Sequence, residues 1–486
     1  MRTAAFALVC GVLVLASSAG AVPAEKEGGS WTQFGYNAAR QNAGPATTGI
    51  TAANASMVER QEVALGGTVD SSPLYVRGAT VLGAKHDTFV AQTTYGRVYA
   101  VDADSGKILW DFTPDGYDAY AGTYRITTAS PALDAAKGIV YAASPDGLVH
   151  KLALDSGKEV RTAGWPARVT LDGAHEKITA PLNLSQKVLV ATTSSYHDEP
   201  AYQGHVVSID PDSGAVVHVW NALCSDRHEL MDPSTCVNTD GAEILSGASI
   251  WARAGAVRQP GTGNLIVTTA NGVYDGHTRW SSSVLILSPD ARRLLGYWTP
   301  TDWEKLSTAD DDLGSTAPAL ATDNLVVQGG KDGRLRLLDL RRFHAPPSVG
   351  KKPVLGGALQ IIAAPGDGRV FTAPAAWTNK GVHWVFVSTN KGLAAYVLSG
   401  NRLSPKWSKT TGGTSPVVAG GLLYVYDWDG GALNVYVPAT GRLVASLPVG
   451  RGHWNTPIIT DGRIAIGQED ANAQVTFGVI NIYRLP

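Results

Sequence analysis

The segment 71-SSPLYV-76, followed by 90-VAQTTYGRVYAVDADSGKILW-110, decides the fold. Apolar and polar residues alternate along it, and the runs are separated by Tyr-Gly and Ser-Gly, which are turn dipeptides. This alternation is typical of half-buried strands, and the turns predict antiparallel hairpins between them. The segment therefore indicates a small antiparallel sheet that ends in a tryptophan.

Weaker copies of this unit recur along the chain. They begin at Ser130, at Ala180, at Ser246, at Ala317, near Leu355, at Thr414 and at Asn455. Four-strand units at such spacing are typical of propeller blades, in which each sheet packs on its neighbours. We therefore expect an all-β protein, an eight-bladed β-propeller of four-stranded antiparallel blades. We also expect the two ends of the chain to complete one blade together.

Composition excludes several other classes of protein. The 486 residues include 42 acidic residues against 40 Lys and Arg, for a formal net charge of −2. This balance argues against a basic nucleic-acid or membrane-surface binder. Charged residues make up only 17 % and 54 residues are glycine, which argues against a coiled coil or a helical bundle. Because no Pro- or Ser-rich linker divides it, we predict that 22–486 forms one domain.

The amino terminus has the pattern of a secretory signal. An apolar run over 4–16 is followed by small residues that end at Ala21. The run is shorter than the roughly 20 residues that a membrane-spanning helix needs. We expect a signal peptide over 1–21, no membrane span, and a secreted or periplasmic protein.

Two cysteines remain after that segment. Cys224 and Cys236 flank a polar insertion, CSDRHELMDPSTC. In an exported chain a disulfide between them is the simplest interpretation, with free thiols as the alternative. The sequence contains neither a Cys-x-x-Cys pattern nor the Cys-x-x-Cys-His haem attachment motif.

The repeat resembles the tryptophan-docking repeat of quinoprotein dehydrogenases. VYAVDADSGKILW carries the resemblance, as does the lead-in GITAANASMVERQEVALGGTVDSSPLYV over 49–76. Within the family the sequence is most similar to the polyvinyl-alcohol-dehydrogenase-like branch. The resemblance implies a quinoprotein propeller that binds pyrroloquinoline quinone (PQQ) and Ca²⁺. Propellers that act as assembly scaffolds share the repeat, so the function depends on the site.

The resemblance implies a calcium site made of Glu199, Asn271 and Asp310, the first two of which also contact the cofactor. Glu199 stands five residues before Gly204, as the family's calcium ligand does, and Asn271 follows a buried strand. Carboxylate and amide oxygens are the ligands that Ca²⁺ prefers. The alternatives are a solvated loop carboxylate for Glu199 and an ordinary Asn-Gly hairpin turn for Asn271.

Two further residues match the family's cofactor contacts. Trp251 corresponds to a tryptophan that lies flat against the quinone, and an indole face suits such stacking. Lys331 corresponds to a cation that contacts the quinone oxygens, where it stabilises negative charge. A core tryptophan and a plain Lys-Asp-Gly turn are the alternatives.

The stretch 310-DDDLGS-315 resembles the segment that carries the family's general base. We assign Asp310 as the base, with Asp312 as the second choice. Adjacent carboxylates repel one another, and this repulsion raises the pKa of at least one of them. An ordinary acidic loop is the alternative.

Two functions remain open. The first is a secreted PQQ-dependent alcohol dehydrogenase that uses calcium, oxidises a small or polymeric alcohol and passes electrons to an external acceptor such as a cytochrome. The second is a cofactor-free propeller that acts as an extracellular binding or assembly scaffold. No nucleic-acid partner is expected. Whether Trp251 and the predicted ligands share one pocket distinguishes the two functions.

Overall fold

The computed structural model describes residues 29–185, 187–348 and 350–486. Its strands form eight antiparallel sheets, so the predicted eight-bladed β-propeller is confirmed. The predicted signal segment, 1–21, lies outside the described residues. No helix among the described residues has both the length and the apolar character that crossing a bilayer requires.

The first four blades follow one another along the chain after β1 (Glu59–Leu65). Blade one contains β2 (Leu74–Val81), β3 (Ala84–Gln92), β4 (Val98–Asp102) and β5 (Ile108–Phe112). Blade two contains β6 (Ala132–Asp134), β7 (Ile139–Ala143), β8 (Leu148–Ala153) and β9 (Ala167–Arg168). Blade three contains β10 (Glu176–Ile178), β11 (Asn183–Leu184), β12 (Leu189–Ser195), β13 (His205–Ile209) and β14 (Val216–Asn221). Blade four contains β15 (Val257–Arg258), β16 (Leu265–Thr268), β17 (Val284–Leu287) and β18 (Leu294–Trp298).

The last four blades have the same strand order. Blade five contains β19 (Ala319–Leu320), β20 (Leu325–Gln328), β21 (Arg334–Asp339) and β22 (Gln360–Ala363). Blade six contains β23 (Ala375–Asn379), β24 (Val382–Ser388), β25 (Leu393–Ser399) and β26 (Arg402–Lys409). Blade seven contains β27 (Val417–Ala419), β28 (Leu422–Asp427), β29 (Ala432–Tyr436) and β30 (Leu443–Pro448). Blade eight contains β31 (Ile458–Thr460), β32 (Arg463–Gly467) and β33 (Gly478–Arg484), and β1 is its outer strand.

The two ends of the chain close the ring in blade eight. Strand β1 pairs with β33 over its whole length, from Glu59 opposite Arg484 to Leu65 opposite Gly478. The expectation that both ends build one blade is therefore confirmed. This pairing covers an edge that β33 would otherwise leave free.

Short helices connect some of the strands. The α-helices are α1 (Tyr117–Tyr120) and α2 (Trp303–Thr308). The 3₁₀ turns are Pro233–Thr235, Leu313–Ser315, Leu340–Arg342, Pro365–Asp367 and Ala471–Ala473.

The tryptophan of the repeat joins neighbouring blades. Trp110 ends blade one, and its indole N–H donates to the carbonyl of Leu154 in blade two at 2.8 Å. Gly157 lies under the ring, where a Cβ would come within 2.6 Å of it. Because only glycine leaves room for the indole, the Ser-Gly turn of one blade is required by the tryptophan of the blade before it.

A segment ahead of the first blade crosses one end of the ring. Over 31–43 it bridges Tyr75 of blade one, Ala132 of blade two and Val418 of blade seven. The buried guanidinium of Arg40 donates to the carbonyl of Leu182, at the start of the blade three strand β11. A segment that reaches blades on opposite sides of the ring must cross its axis, so it closes one end of the central channel.

One predicted repeat boundary is wrong. A copy was expected to begin near Leu355, but β22 pairs with β21 and is the outer strand of blade five. Blade six begins at Ala375. The long connection between β21 and β22 interrupts the alternating pattern, which moved the predicted boundary towards the amino terminus.

The predicted disulfide is confirmed. Cys224 and Cys236 are bonded, with their Cα atoms 6.0 Å apart, in the insertion between β14 and β15. Both cysteines pack in a buried apolar cluster with Trp220 and Trp280.

Candidate functional site

A cavity of about 260 Å³ lies among the inner loops of several blades. Four of the residues singled out in the sequence line it, namely Trp251, Asn271, Asp312 and Lys331. These residues are spread over 80 positions of the chain and belong to blades four and five, so the packing of two adjacent blades brings them together.

The acidic wall of the cavity is built around Asp312. Its Oδ1 accepts a hydrogen bond from the backbone N–H of Asn271 at 2.8 Å, and its Oδ2 lies 2.8 Å from Nζ of Lys331. Asp310 also pairs with Lys331 at 3.0 Å and accepts from the side-chain amide of Asn271 at 3.1 Å. The lysine ammonium group therefore lies between two carboxylates.

The two acids differ in burial. The side chain of Asp312 is 6 % exposed and lines the cavity, whereas that of Asp310 is 63 % exposed and is not among the lining residues. Burial raises the pKa of Asp312, and Asp310 adds to that effect, while Lys331 and the Asn271 N–H oppose it. For Lys331, burial lowers the pKa, but the two carboxylates outweigh it and the net shift is upward. Asp312, our second choice, is thus the acid that faces the cavity.

An aromatic surface forms a second wall. The rings of Trp251 and Trp454 stack with centroids 5.7 Å apart and an interplanar angle of 25°. His453 stacks on Trp454 at 4.1 Å, and Nζ of Lys331 lies 5.6 Å above the Trp251 ring. All four side chains line the cavity. A flat apolar ligand would find a matching surface here.

The opposite wall carries hydrogen-bond donors. Burial lowers the pKa of Lys177 to about 8, and its ammonium group lies 5.2 Å from the centroid of the Tyr196 ring, with no ion-pair partner within the described ranges. Ser249 is buried, and its hydroxyl group has no hydrogen-bond partner there either. Thr179 and Ser194 lie beside them and share a hydrogen bond. Unpaired buried donors favour a ligand rich in acceptor oxygens.

Glu199 lies outside the set of residues that line this cavity, contrary to our expectation. It is exposed, and the carboxylate at the cavity rim belongs to Asp198. His197 and Asp198 both adopt left-handed backbone conformations, with φ of 52° and 57°. Hydrogen bonds from the hydroxyl groups of Ser195 and Tyr202 to Asp198, at 2.9 and 3.0 Å, hold that carboxylate in place. The local turn therefore presents Asp198, and not Glu199, at the cavity.

A third cluster adjoins the cavity and was missed in the sequence. Asp70 is fully buried, and its Oδ2 lies 2.8 Å from Nδ1 of His453. Its Oδ1 accepts the backbone N–H of Trp454 at 2.8 Å, and Arg253 lies 3.7 Å away. Burial would raise the pKa of Asp70, but these partners outweigh burial and lower it.

A repeat-based signal could have found this cluster. Asp70, Thr128 and Trp454 each stand three residues before the proline that opens the first strand of a blade. In three different blades this position is at or beside the cavity. Aligning the repeats on that proline would have marked all three residues.

Comparisons with known proteins agree with this architecture. A curated relative, the quinohemoprotein alcohol dehydrogenase ADH IIB of Pseudomonas putida, is 25 % identical over 338 residues, which are 65 % of this chain and 46 % of the relative. The chain therefore spans about half the length of the curated relative that it matches.

Two solved structures share the fold. The quinohemoprotein alcohol dehydrogenase of Comamonas testosteroni superposes with a TM-score of 0.67 at 15 % identity, covering 94 % of this chain and 80 % of that one. A europium-containing methanol dehydrogenase gives a TM-score of 0.69 at 16 % identity, covering 95 % and 99 %. At such identities the likeness concerns the fold alone.

A family model of PQQ repeats, described as outer membrane protein assembly factor BamB, matches residues 46–341. That match covers more than half of the 486 residues. The chain therefore belongs to the PQQ-repeat β-propeller family.

Proposed function

We propose that this protein is a quinoprotein alcohol dehydrogenase. The cavity of about 260 Å³ lined by Trp251, Asn271, Asp312 and Lys331, the axial cavity, binds pyrroloquinoline quinone. The observation that carries the proposal is the convergence of Trp251, Asn271, Asp312 and Lys331 on one cavity. Residues in the same order resemble cofactor contacts of the quinoprotein family. The curated relative is itself named a quinohemoprotein alcohol dehydrogenase.

The cavity fits a planar, acidic quinone. Trp251 and Trp454 offer a flat apolar surface. Lys177 offers an ammonium group without an ion-pair partner, and Ser249 a hydroxyl group without a hydrogen bond, within the described ranges. Together these groups match a fused ring system whose edge carries carboxylate and carbonyl oxygens. Lys331 adds a second cation to the lining of the cavity.

The cavity also offers oxygen donors of the kind that Ca²⁺ prefers. Asn271 has a side-chain oxygen without a hydrogen bond among the described residues, and Asp198 presents a carboxylate at the rim. We assign these two as ion ligands, with Asp198 in place of Glu199. When bound, the quinone supplies the hydride acceptor and the ion polarises its reactive carbonyl.

Asp312 then receives the hydroxyl proton of the alcohol. Burial raises the pKa of its carboxyl group, which makes the carboxylate a stronger base than a surface aspartate. Lys331, 2.8 Å away, fixes the orientation of the carboxylate and balances negative charge that develops in the cavity. The substrate is a primary or secondary alcohol, small or polymeric, and the electrons pass to a separate carrier such as a cytochrome.

The test measures binding of PQQ to the full chain with and without Ca²⁺, detected as quenching of tryptophan fluorescence. Dye-linked alcohol oxidation then measures the activity. Asp198→Ala and Glu199→Ala form a matched pair because the two acids are adjacent and only Asp198 lines the cavity. We expect Asp198→Ala to weaken calcium-dependent binding at least about tenfold. Glu199→Ala should stay within about twofold, as exposed positions usually do.

Two results would contradict parts of this proposal. A larger loss in Glu199→Ala than in Asp198→Ala would return the ion ligand to Glu199. Absence of PQQ binding at any calcium concentration would exclude the dehydrogenase and favour a scaffold function, in line with the assembly-factor description of the matching family model.

A further inference from the structure

The side chain of His453 separates two cavities. It lines the axial cavity and also a second, outer cavity of about 370 Å³. Asp429, Glu469 and Asp470 line the outer cavity, together with Arg451. A titratable ring that lines both the axial cavity and an acidic pocket is well placed to pass protons from one to the other.

Hydrogen bonds fix which nitrogen of His453 carries the proton. Its Nδ1 lies 2.8 Å from Asp70 and 3.4 Å from Asp470. Because both neighbours are carboxylates, Nδ1 must donate, and a neutral ring then has its lone pair on Nε2. Within the part of the chain that the structure describes, Nε2 has no hydrogen bond and is the ring atom available to a group in the axial cavity.

The carboxylate behind the ring is rigid. Asp70 also accepts backbone N–H groups from Trp454 and Ala471, at 2.8 and 3.3 Å. Arg253 donates to the backbone carbonyl of Asp70 at 2.7 Å and to that of Trp454 at 2.9 Å. Stacking of the imidazole on Trp454 at 4.1 Å holds the other side of the ring. The ring is therefore oriented before any ligand arrives.

Asp70, His453 and Asp470 form a triad that could also hold a metal ion, because their ligand atoms lie within 4.8 Å of one another. A role in proton transfer accounts for this triad better than metal binding does. Arg253 already places a cation 3.7 Å from Asp70, and Oδ1 of Asp470 already accepts the backbone N–H of Asn472 at 2.8 Å. A divalent ion would have to compete with the guanidinium group and break existing hydrogen bonds.

We propose that His453, oriented by Asp70, carries protons from the axial cavity to water in the outer cavity. The inference rests on the proposed function. Oxidation of R₂CHOH to R₂C=O removes two electrons and two protons; the electrons leave through the cofactor to the external acceptor, and the protons must reach water. Nε2 takes up a proton from the axial cavity, and both carboxylates stabilise the imidazolium. The ring then gives up one proton to Asp470 or to water in the outer cavity and returns to its neutral, Nδ1-protonated form.

The charges around the ring are consistent with this direction of transfer. Asp470 is 41 % exposed and therefore accessible to water, whereas Asp70 is fully buried and stays ionised because its partners lower its pKa. Charged groups face His453 from both cavities. Those beside the ring or in the outer cavity are Asp70, Arg253, Arg451, Asp429, Glu469 and Asp470. Those that line the axial cavity are Lys177, Asp198, Asp312 and Lys331.

The first experiment needs no cofactor. Histidine-selective ¹⁵N labelling of the full chain, with His453→Gln to assign the signal, reports the tautomer of His453. We expect the Nδ1-protonated form at neutral pH. An Nε2-protonated form would overturn the proposal, and so would displacement of the Nδ1 proton by added Ca²⁺ or Zn²⁺ at micromolar concentration, because the triad would then be a metal site.

The second experiment measures proton release during turnover with a pH-indicator dye in weak buffer. With PQQ at saturating concentration, His453→Gln should release protons about 100-fold more slowly than the native chain. High buffer concentration or added imidazole should restore the rate, which a merely structural defect would not allow. His86→Gln is the matched control, because His86 pairs with Asp102 at 2.6 Å and is 25 % exposed, against 23 % for His453.

The outcomes separate the two proposals. If the native chain binds PQQ and oxidises alcohols but His453→Gln releases protons at the native rate, the relay is wrong and the dehydrogenase stands. If the native chain binds no PQQ, the proposed function fails first, whatever the tautomer of His453 is.

Discussion

Asp312 lines the cavity and Asp70 lies beside it, and the two show how differently two buried aspartates behave. Each accepts a backbone N–H at 2.8 Å, and each has a cation nearby. Nevertheless the pKa of Asp312 is raised and that of Asp70 is lowered.

The difference lies in the neighbours. Asp312 shares Lys331 with a second carboxylate, Asp310, whereas Asp70 has both His453 and Arg253. Burial alone therefore does not decide the role of a carboxyl group. A buried carboxylate that must share its cation has a raised pKa, whereas one with several partners of its own has a lowered pKa and stays ionised.

The largest effect is expected from Asp312→Asn. Loss of the proton acceptor should lower the rate of alcohol oxidation about 10²- to 10⁴-fold while PQQ binding is retained. Asp311→Asn is the control, because Asp311 is the next residue but does not line the cavity. Steady-state oxidation with a dye acceptor measures both variants, and equal losses in the two would contradict the assignment of Asp312.

Asp70→Asn should act on stability instead. The substitution leaves Arg253, which is fully buried, without its carboxylate, and breaking such a pair typically costs about 3–5 kcal/mol of unfolding free energy. Asp312→Asn should cost no more than about 1 kcal/mol, because Lys331 keeps Asp310 as a partner. Urea unfolding of both variants tests the contrast, and similar losses would refute it.

The effect of Asp70 should also depend on pH with a definite sign. Because the pKa of Asp70 in the folded chain is below its ordinary value of 3.8, its stabilisation is present above that pH and is lost as the pH falls through the folded value. The stability difference between the native chain and Asp70→Asn should therefore be constant near neutrality and shrink below about pH 4. A difference that grows on acidification would contradict the ionised, stabilising role of Asp70.

The smallest effect is expected from Asp310→Asn. Asp310 is 63 % exposed, and an exposed ion pair typically contributes up to about 1 kcal/mol, so oxidation should change less than about fivefold. Comparing its rate with that of Asp312→Asn ranks the two acids directly. A larger loss in Asp310→Asn would restore Asp310 as the base.

The sequence by itself determined the blades. Alternating strands, Gly turns and the terminal Trp of each unit are local signals, because side-chain period and turn conformation depend on a few adjacent residues. The disulfide between Cys224 and Cys236 and the closure of the last blade also followed from the sequence. The blade six boundary was misplaced because the connection ahead of β22 carries no such signal.

Only the tertiary structure decided which side chains face the axis. Spacing selected Glu199 and Asp310, yet a turn with two left-handed residues presents Asp198 at the cavity, and Asp312 is the buried acid that lines it. The pairing of Asp70 with His453 joins residues 383 positions apart. Contacts across a closed ring depend on how blades pack and where each loop turns, and no local pattern in the chain records either property.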